Sequence, residues 1–231
     1  MLKKKAIVTG ATHGIGYELT RILVKHHWNV IPISRDTDKV FLEDPLFKRV
    51  KGIPFNFENV QQIEKLPIYA NGKYDLLVNN AGMLNLVDFK DYSTAMMWLL
   101  LNVNLVAPME LTRNLIPFLN KGARIINVGS TSGIENEDFI INYAVTKAAL
   151  IHFTKCLAKK YPQFRINCIS PGLVKTNLCG DTPLPQDVLD MIPQKREATA
   201  YEIAKVIFNL TKSEYDYLTG QNIVIDGGKS L

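Results

Sequence analysis

The sequence predicts an α/β fold, a parallel β-sheet covered by helices on both faces. Three observations carry this expectation. Strand-like and helix-like patterns alternate almost from end to end. The strand-like pieces are short continuous apolar runs, as strands buried on both faces require. The first of them runs through a glycine-rich turn directly into a helix. Ala6 to Thr9 reads as the first strand, and Ile15 to Val24, with apolar residues at helical spacing, as the first helix. Asn29 to Ser34 is a second strand in which Pro32 removes a ladder donor, so the neighbouring pairing should be irregular there. Val50 to Phe57, Asp75 to Asn79 and Arg124 to Val128 follow as strands three to five, with long helices at about 91 to 119 and 139 to 160. Arg165 to Ser170 and Asn222 to Ile225 supply two later strands, with a helix from about Ala200 to Leu210 between them. The stretch 177–195, with Pro183, Pro185 and Pro193, reads as a loop or substrate lid within one domain spanning 1–231.

Composition sets outer limits. The 231 residues, 47% hydrophobic, suffice for a continuous core. No stretch reads as the roughly 20 apolar residues a membrane-spanning helix needs, so no membrane partner is expected. The opening Met1-Leu2-Lys3-Lys4-Lys5 lacks a signal-peptide pattern, which leads to the expectation of a cytoplasmic protein. Cys156, Cys168 and Cys179 lack metal-binding or disulfide-framework spacing and read as buried or incidental thiols; no metal site is expected. The formal net charge of +5 comes from scattered residues, which argues against a nucleic-acid partner and suits a small phosphate-bearing ligand.

Thr9-Gly10-Ala11-Thr12-His13-Gly14-Ile15-Gly16 is a glycine-rich turn opening a helix, where backbone N–H groups and the helix dipole can meet a pyrophosphate. Its Gly-x-x-x-Gly-x-Gly spacing differs from the general Gly-x-Gly-x-x-Gly fingerprint, so a mere tight turn is the competing reading. Asn79-Asn80-Ala81-Gly82 follows the fourth strand at the edge where carboxyl ends of parallel strands form a ligand crevice. Ser34-Arg35-Asp36 ends the second strand, where the ribose of a dinucleotide should fall. An acid there favours a free 2′-hydroxyl and an arginine a 2′-phosphate; Arg35 in the first loop position favours NADP(H), with NAD(H) the alternative. Tyr143 and Lys147 lie at i and i+4 on one helix face, so an ammonium can favour the phenolate and fit Tyr143 for acid–base work near neutral pH. Ser130 follows the fifth strand at its carboxyl end. Pro108, which has no N–H, leaves the Asn104 carbonyl without its helical donor and open to water.

Taken together, the turn at 9 to 16, Asn79 to Gly82, Asn104, Ser130 thirteen residues before Tyr143, Lys147, Pro171-Gly172, Thr219-Gly220 and Asp226-Gly227-Gly228 resemble the short-chain dehydrogenase/reductase family in its short single-domain form, and in particular 3-oxoacyl-acyl-carrier-protein reductases. The resemblance covers essentially the whole chain. It implies a Rossmann-type, three-layer α/β/α fold with seven parallel strands in the order 3-2-1-4-5-6-7. It also implies reduction of a ketone, a 3-oxoacyl thioester being one case, to a secondary alcohol, or the reverse. It assigns Tyr143 as proton donor, Ser130 as the hydrogen-bond donor to the carbonyl oxygen, Lys147 as the group that lowers the tyrosine pKa and binds the nicotinamide ribose, and Asn104 as holder of a water linked to Lys147. Thr131 and Ser132 compete with Ser130, and Asn102 with Asn104, on residue type alone. The resemblance further places Gly10, Thr12, His13, Gly14, Ile15, Gly16, Arg35, Asn56, Asn80, Ala81 and Gly82 on the cofactor, with Pro171, Gly172, Val174 and Thr176 beside the nicotinamide amide. Asn56 stands where the family usually has Asp against the adenine. Implied partners are a small carbonyl or alcohol substrate, in one version carried on an acyl carrier protein, and further copies of the chain as a homodimer or homotetramer. The alternative is a non-catalytic dinucleotide-binding sensor or scaffold, against which the presence of all four catalytic residues weighs. Leu178, Leu184, Val188, Met191 and Ile192 in the lid suggest an apolar substrate wall or a helix packed on the core.

Overall fold

Successive residues of an extended strand face opposite ways, and the apolar runs use both faces. Ala6 and Val8 of the first strand enter one buried cluster, while Ile7 enters another. The computed structural model describes residues 3–37, 41, 44–48, 50–70, 72–178 and 183–231. Seven strands, β1 (Lys5–Thr9), β2 (Asn29–Ser34), β3 (Ile53–Pro54), β4 (Tyr74–Asn79), β5 (Leu119–Val128), β6 (Arg165–Pro171) and β9 (Asn222–Ile225), form a sheet in the order β3-β2-β1-β4-β5-β6-β9. All pairings are parallel. This is the expected order, with two short strands, β7 (Val174–Lys175) and β8 (Ala198–Thr199), pairing separately before the last one. On one face lie α1 (Gly14–Lys25) and α6 (Ala200–Asn209), contributing Leu19, Leu23, Ile203 and Ile207 to the core. The other face holds α3 (Ala107–Leu115) and α4 (Ile141–Lys160), with Leu111, Leu115 and Ala158 buried there.

The structure departs from the sequence reading in five places. The third strand shrinks from 50–57 to two residues, because β3 is an edge strand paired with β2 only at Ile33 and Ser34. Pro32 does not disturb the β1 pairing, which runs unbroken from Lys5↔Asn29 to Thr9↔Ile33. The carbonyl of Ile33 accepts from Gly10 N at 2.9 Å, so Ile33 faces β1 and its neighbour Pro32 faces the β3 side. There the lost donor has no strand partner to miss. The long helix expected over 91–119 is α2 (Thr94–Leu101), a π turn (Asn102–Val106) and α3, closed by a short 3₁₀ turn (Ile116–Phe118), after which β5 begins five residues earlier than expected. A register shift between Tyr74 and Leu76, opposite Gly122 at φ 80°, accommodates those added residues. Joined through the π turn, Thr94–Phe118 is long and apolar enough to cross a membrane by length and composition, contrary to the sequence reading. In this fold its inner face, with Leu100, Val103, Ala107 and Leu111, is buried in the core. Finally, the stretch read as a lid contains α5 (Gln186–Asp190), and Ile192 is fully buried against Gly227. Of the three cysteines, Cys168 is buried and Cys156 exposed, and Cys179 lies outside the described residues.

Polar side chains fix the helices to the sheet. Asn79 Nδ2 donates to Thr112 Oγ1 on α3 (3.0 Å) and to Asn127 Oδ1 on β5 (2.8 Å), and Asn127 Nδ2 donates to Thr154 Oγ1 on α4 (2.8 Å). All four residues are buried, so losing one link strands a polar group away from water. Asn127→Ala removes two links at once. Urea denaturation should show it less stable than wild type by about 2 to 4 kcal/mol; a change below about 0.5 kcal/mol would show that the ladder does not hold the layers.

Candidate active site

In a parallel sheet every carboxyl end opens on one edge, and the predicted site residues gather there. The turn after β1 needs glycine for its backbone: Gly10 and Gly14 sit at φ 61° and 52°. Gly16 needs it for space, since a Cβ would lie 2.3 Å from the Gly10 carbonyl oxygen and 2.6 Å from Asn80 Nδ2. His13 caps α1 without a side-chain hydrogen bond, and no acid occupies its first turn. The first backbone N–H groups of a twelve-residue helix therefore stay open for an anion.

Thr9 and Asn80 brace this turn. Thr9 Oγ1 accepts from the backbone N–H groups of Asn80 and Ala81, both at 2.9 Å. Asn80 Nδ2 donates to the carbonyls of Thr9 (2.9 Å) and Gly10 (3.0 Å). The side-chain amide of Asn80 is thus spent on architecture. Thr12 Oγ1 lies 2.8 Å from Ser34 Oγ and 3.1 Å from His13 Nδ1, which joins the glycine turn to the end of β2. Next to Ser34, Arg35 and Asp36 are both exposed, and Arg35 forms no ion pair among the described residues. Asn56 Oδ1 accepts from Glu58 N at 3.1 Å, so its acceptor closes a local turn. Gly172 packs against Asp226, its N–H bonded to the Ile225 carbonyl (3.0 Å), and Thr176 leans over Gly14. Val174 lies between them on β7.

Tyr143 and Lys147 occupy the first turns of α4, 7% and 4% exposed. Lys147 Nζ donates to the Val128 carbonyl at 2.9 Å and lies 5.5 Å from the Tyr143 ring centroid. Burial pushes the Lys147 ammonium down to about 8, and the neighbouring Cys168 opposes that shift. Ser130, at the end of β5, accepts from Ser132 N (3.2 Å) and bonds Ser132 Oγ (3.1 Å), capping the turn Thr131–Gly133. Asn104 lies within the π turn, where Ala107 N–H reaches back five residues to the Asn102 carbonyl. The Asn104 side chain is itself consumed: Oδ1 accepts from Met83 N (2.8 Å), and Nδ2 donates to Met83 O (2.9 Å) and Thr146 Oγ1 (3.2 Å).

Beside Tyr143 opens a narrow surface cleft with walls from Val87, Phe89, Tyr92 and Phe139 to Ile141. Sequence reasoning offers an apolar wall in the lid and does not single out this one. Nothing in the pattern of 85–92 distinguishes it from a surface loop, and only the fold brings it opposite 138–143. Also unforeseen is a clamp: Lys229 Nζ bonds Glu135 (2.6 Å) and Glu137 (3.1 Å), tying the C-terminal turn to the segment between Ser130 and Tyr143. Partial burial alone would lower the Lys229 ammonium, and the two glutamates outweigh it and raise it.

A family model described as enoyl-(acyl carrier protein) reductase matches residues 10–230. The chain is 33% identical over 240 residues to nodulation protein G of a Rhizobium species, covering 99% of this chain and 97% of that protein. To the 3-oxoacyl-[acyl-carrier-protein] reductase FabG of Thermotoga maritima it is 32% identical over 245 residues, covering 97% of each. A solved Serratia marcescens short-chain dehydrogenase/reductase, in a doubly substituted form, superposes with a TM-score of 0.91 at 25% identity, covering 99% of this chain and 98% of that one.

The buried ammonium gives a stability test. The folded state holds the Lys147 proton less tightly than the unfolded chain does, whose lysine titrates near 10.5. Between about pH 8 and 10.5 the unfolded state therefore binds more protons, and stability rises with pH through that window. Denaturant unfolding of the ligand-free protein should show wild type gaining on Lys147→Met as pH rises from about 8 to 10, by up to about 1.4 kcal/mol per pH unit. A pH-independent difference would show that Lys147 titrates normally.

Proposed function

The chain belongs to the short-chain dehydrogenase/reductase family and is an NAD(P)-dependent oxidoreductase with a small-molecule substrate, and on that premise we propose that it uses NADPH to reduce a ketone to a secondary alcohol, or runs the reverse, with Tyr143 as proton donor. The observation that carries the reading is the buried pair on α4: a phenol lining a cleft, with an ammonium 5.5 Å from its ring.

The glycine turn fits a dinucleotide, because Gly10 and Gly14 hold it at positive φ, Gly16 lets it pack closely on Asn80, and the N-terminus of α1 has no side-chain cap. Gly10, Thr12, His13, Gly14, Ile15 and Gly16 would hold the phosphates, Asn80, Ala81, Gly82 and Lys147 the nicotinamide ribose, Asn56 the adenine end, and Pro171, Gly172, Val174 and Thr176 the nicotinamide amide. The bound cofactor supplies the hydride. Tyr143 gives its proton to the substrate oxygen, and the Lys147 ammonium favours the phenolate left behind. Ser130 donates to the same oxygen once its hydroxyl turns away from Ser132. Asn104, its side chain locked on Met83, contributes its main-chain carbonyl to a water shared with Lys147.

Arg35 supports NADPH over NADH: it is exposed, beside Ser34, with a planar fork suited to a 2′-phosphate and no acid paired to it among the described residues. The substrate lid is 177–195 within one domain. A homodimer or homotetramer is supported by the outer faces of α2 to α4, where Trp98 (61%), Met109 (40%) and Val145 (59%) stand exposed. A 3-oxoacyl thioester on an acyl carrier protein is a second reading, favoured by the name of the Thermotoga relative.

The test follows the absorbance of reduced nicotinamide against a panel of ketones and 3-oxoacyl thioesters. Tyr143→Phe should lower kcat by about 10²- to 10⁴-fold with dinucleotide binding retained; full activity in that variant excludes Tyr143 as the acid. Arg35→Ser should weaken NADPH by about 10- to 100-fold and leave NADH nearly unchanged, the loss of one charge-assisted contact. Equal weakening of both cofactors would remove Arg35 from the 2′-phosphate.

A further inference from the structure

Resting on Tyr143 as the proton donor, we propose that the substrate is a small free carbonyl compound whose flat apolar arm lies between Phe89 and Phe139 and carries no negative charge. The cleft that contains Tyr143 is walled on one side by 87–92 and on the other by 138–141. Phe89 and Phe139 are 57% and 64% exposed, so two large rings stand in water where the cleft opens. Covering them removes apolar surface from water, and flat groups stack on such rings in offset or edge-on geometry.

Charge then selects among apolar ligands. The protein carries a formal net charge of +5, yet both walls are acidic. Beside Phe89 stand Asp88 and Asp91 against Lys90; beside Phe139 stand Glu135, Glu137 and Asp138 against Lys229, so five acids face two cations and the net charge of the walls is −3. Lys229 is already committed to Glu135 and Glu137. Asp138 lines the cleft and has no ion-pair partner among the described residues. Lys90, exposed between Asp88 and Asp91, is outnumbered by them, and Lys147 behind Tyr143 is buried and bonded to the Val128 carbonyl. At ionic strengths near 0.1 M charges act over about 10 Å, so a carboxylate or phosphate on the arm meets repulsion. A strongly acidic carrier protein settling over the mouth would meet the same field. The free ketone is therefore the substrate the walls admit.

The experiment uses three ketones with one aryl skeleton, differing only in an uncharged, a carboxylate or a quaternary ammonium ring substituent. kcat/KM is measured with saturating NADPH, and binding is measured in parallel to the NADPH complex of Tyr143→Phe through nicotinamide fluorescence. The carboxylate should fall below the neutral compound by about tenfold in both at low salt. High salt and Asp138→Asn should each narrow that gap. Equal use and equal binding of the carboxylate and neutral ketones overturn the inference and leave the reductase reading standing. A gap untouched by salt and by Asp138→Asn overturns its electrostatic origin. Binding ranked by charge without turnover removes the proposed reaction and supports the selection. Failure of all three to bind while NADPH binds overturns the apolar arm.

Discussion

The site is organised around an ammonium held out of water. Lys147 is 4% exposed and its Nζ donates to the carbonyl of Val128, the last residue of β5. A buried cation of this kind costs stability unless its surroundings are fixed. The structure fixes them from several directions. Gly82 lies alongside, its Cβ position 3.6 Å from Nζ and 3.5 Å from Asn104 Oδ1, at ordinary contact distance. Gly133 gives room behind the helix, where a Cβ would lie 2.8 Å from the Lys147 carbonyl carbon. Thr146, on the neighbouring turn, bonds back to the Tyr143 carbonyl (2.7 Å) and receives Asn104 Nδ2, so α4 and the π turn are locked together at the level of the phenol.

The same economy appears across the cofactor edge. The side chains of Asn80 and Thr9 are bonded to backbone groups and hold two loops in register. Backbone donors fixed by hydrogen bonds and close packing need little reorganisation when an anion arrives, which is what preorganisation means physically. The C-terminal turn completes the frame: Asp226 accepts from Gly228 N and Ser230 N, Gly227 packs on Ile192, and Lys229 reaches the segment before Tyr143. One short turn thus touches the lid, the loop after β6 and the catalytic loop.

Much of this is legible in the sequence. The strand order, the glycine turn, and Ser130, Tyr143 and Lys147 at one sheet edge all follow from local patterns: apolar runs, helical spacing and residues that follow strands. These are properties of neighbours in the chain, and period and spacing encode them directly. The failures share a different cause. The apolar run 50–57 suggests a full-length third strand, whereas its length is set by how much partner strand is available at the edge. The apolar stretch after β4 suggests one continuous helix, because apolarity does not reveal a π turn.

Sequence alone therefore determined the class of fold, the candidate site residues and the edge on which they meet, because those depend on spacing within single elements. Tertiary structure decided which of their atoms remain free. It spent the side chains of Asn80 and Asn104 on bracing, lowered the Lys147 pKa by burial, opened a cleft beside Tyr143 between 87–92 and 138–143, and set Glu135 and Glu137 against Lys229 about ninety residues away. Burial, charge and hydrogen-bond competition arise between residues distant in the chain, and no local pattern records them.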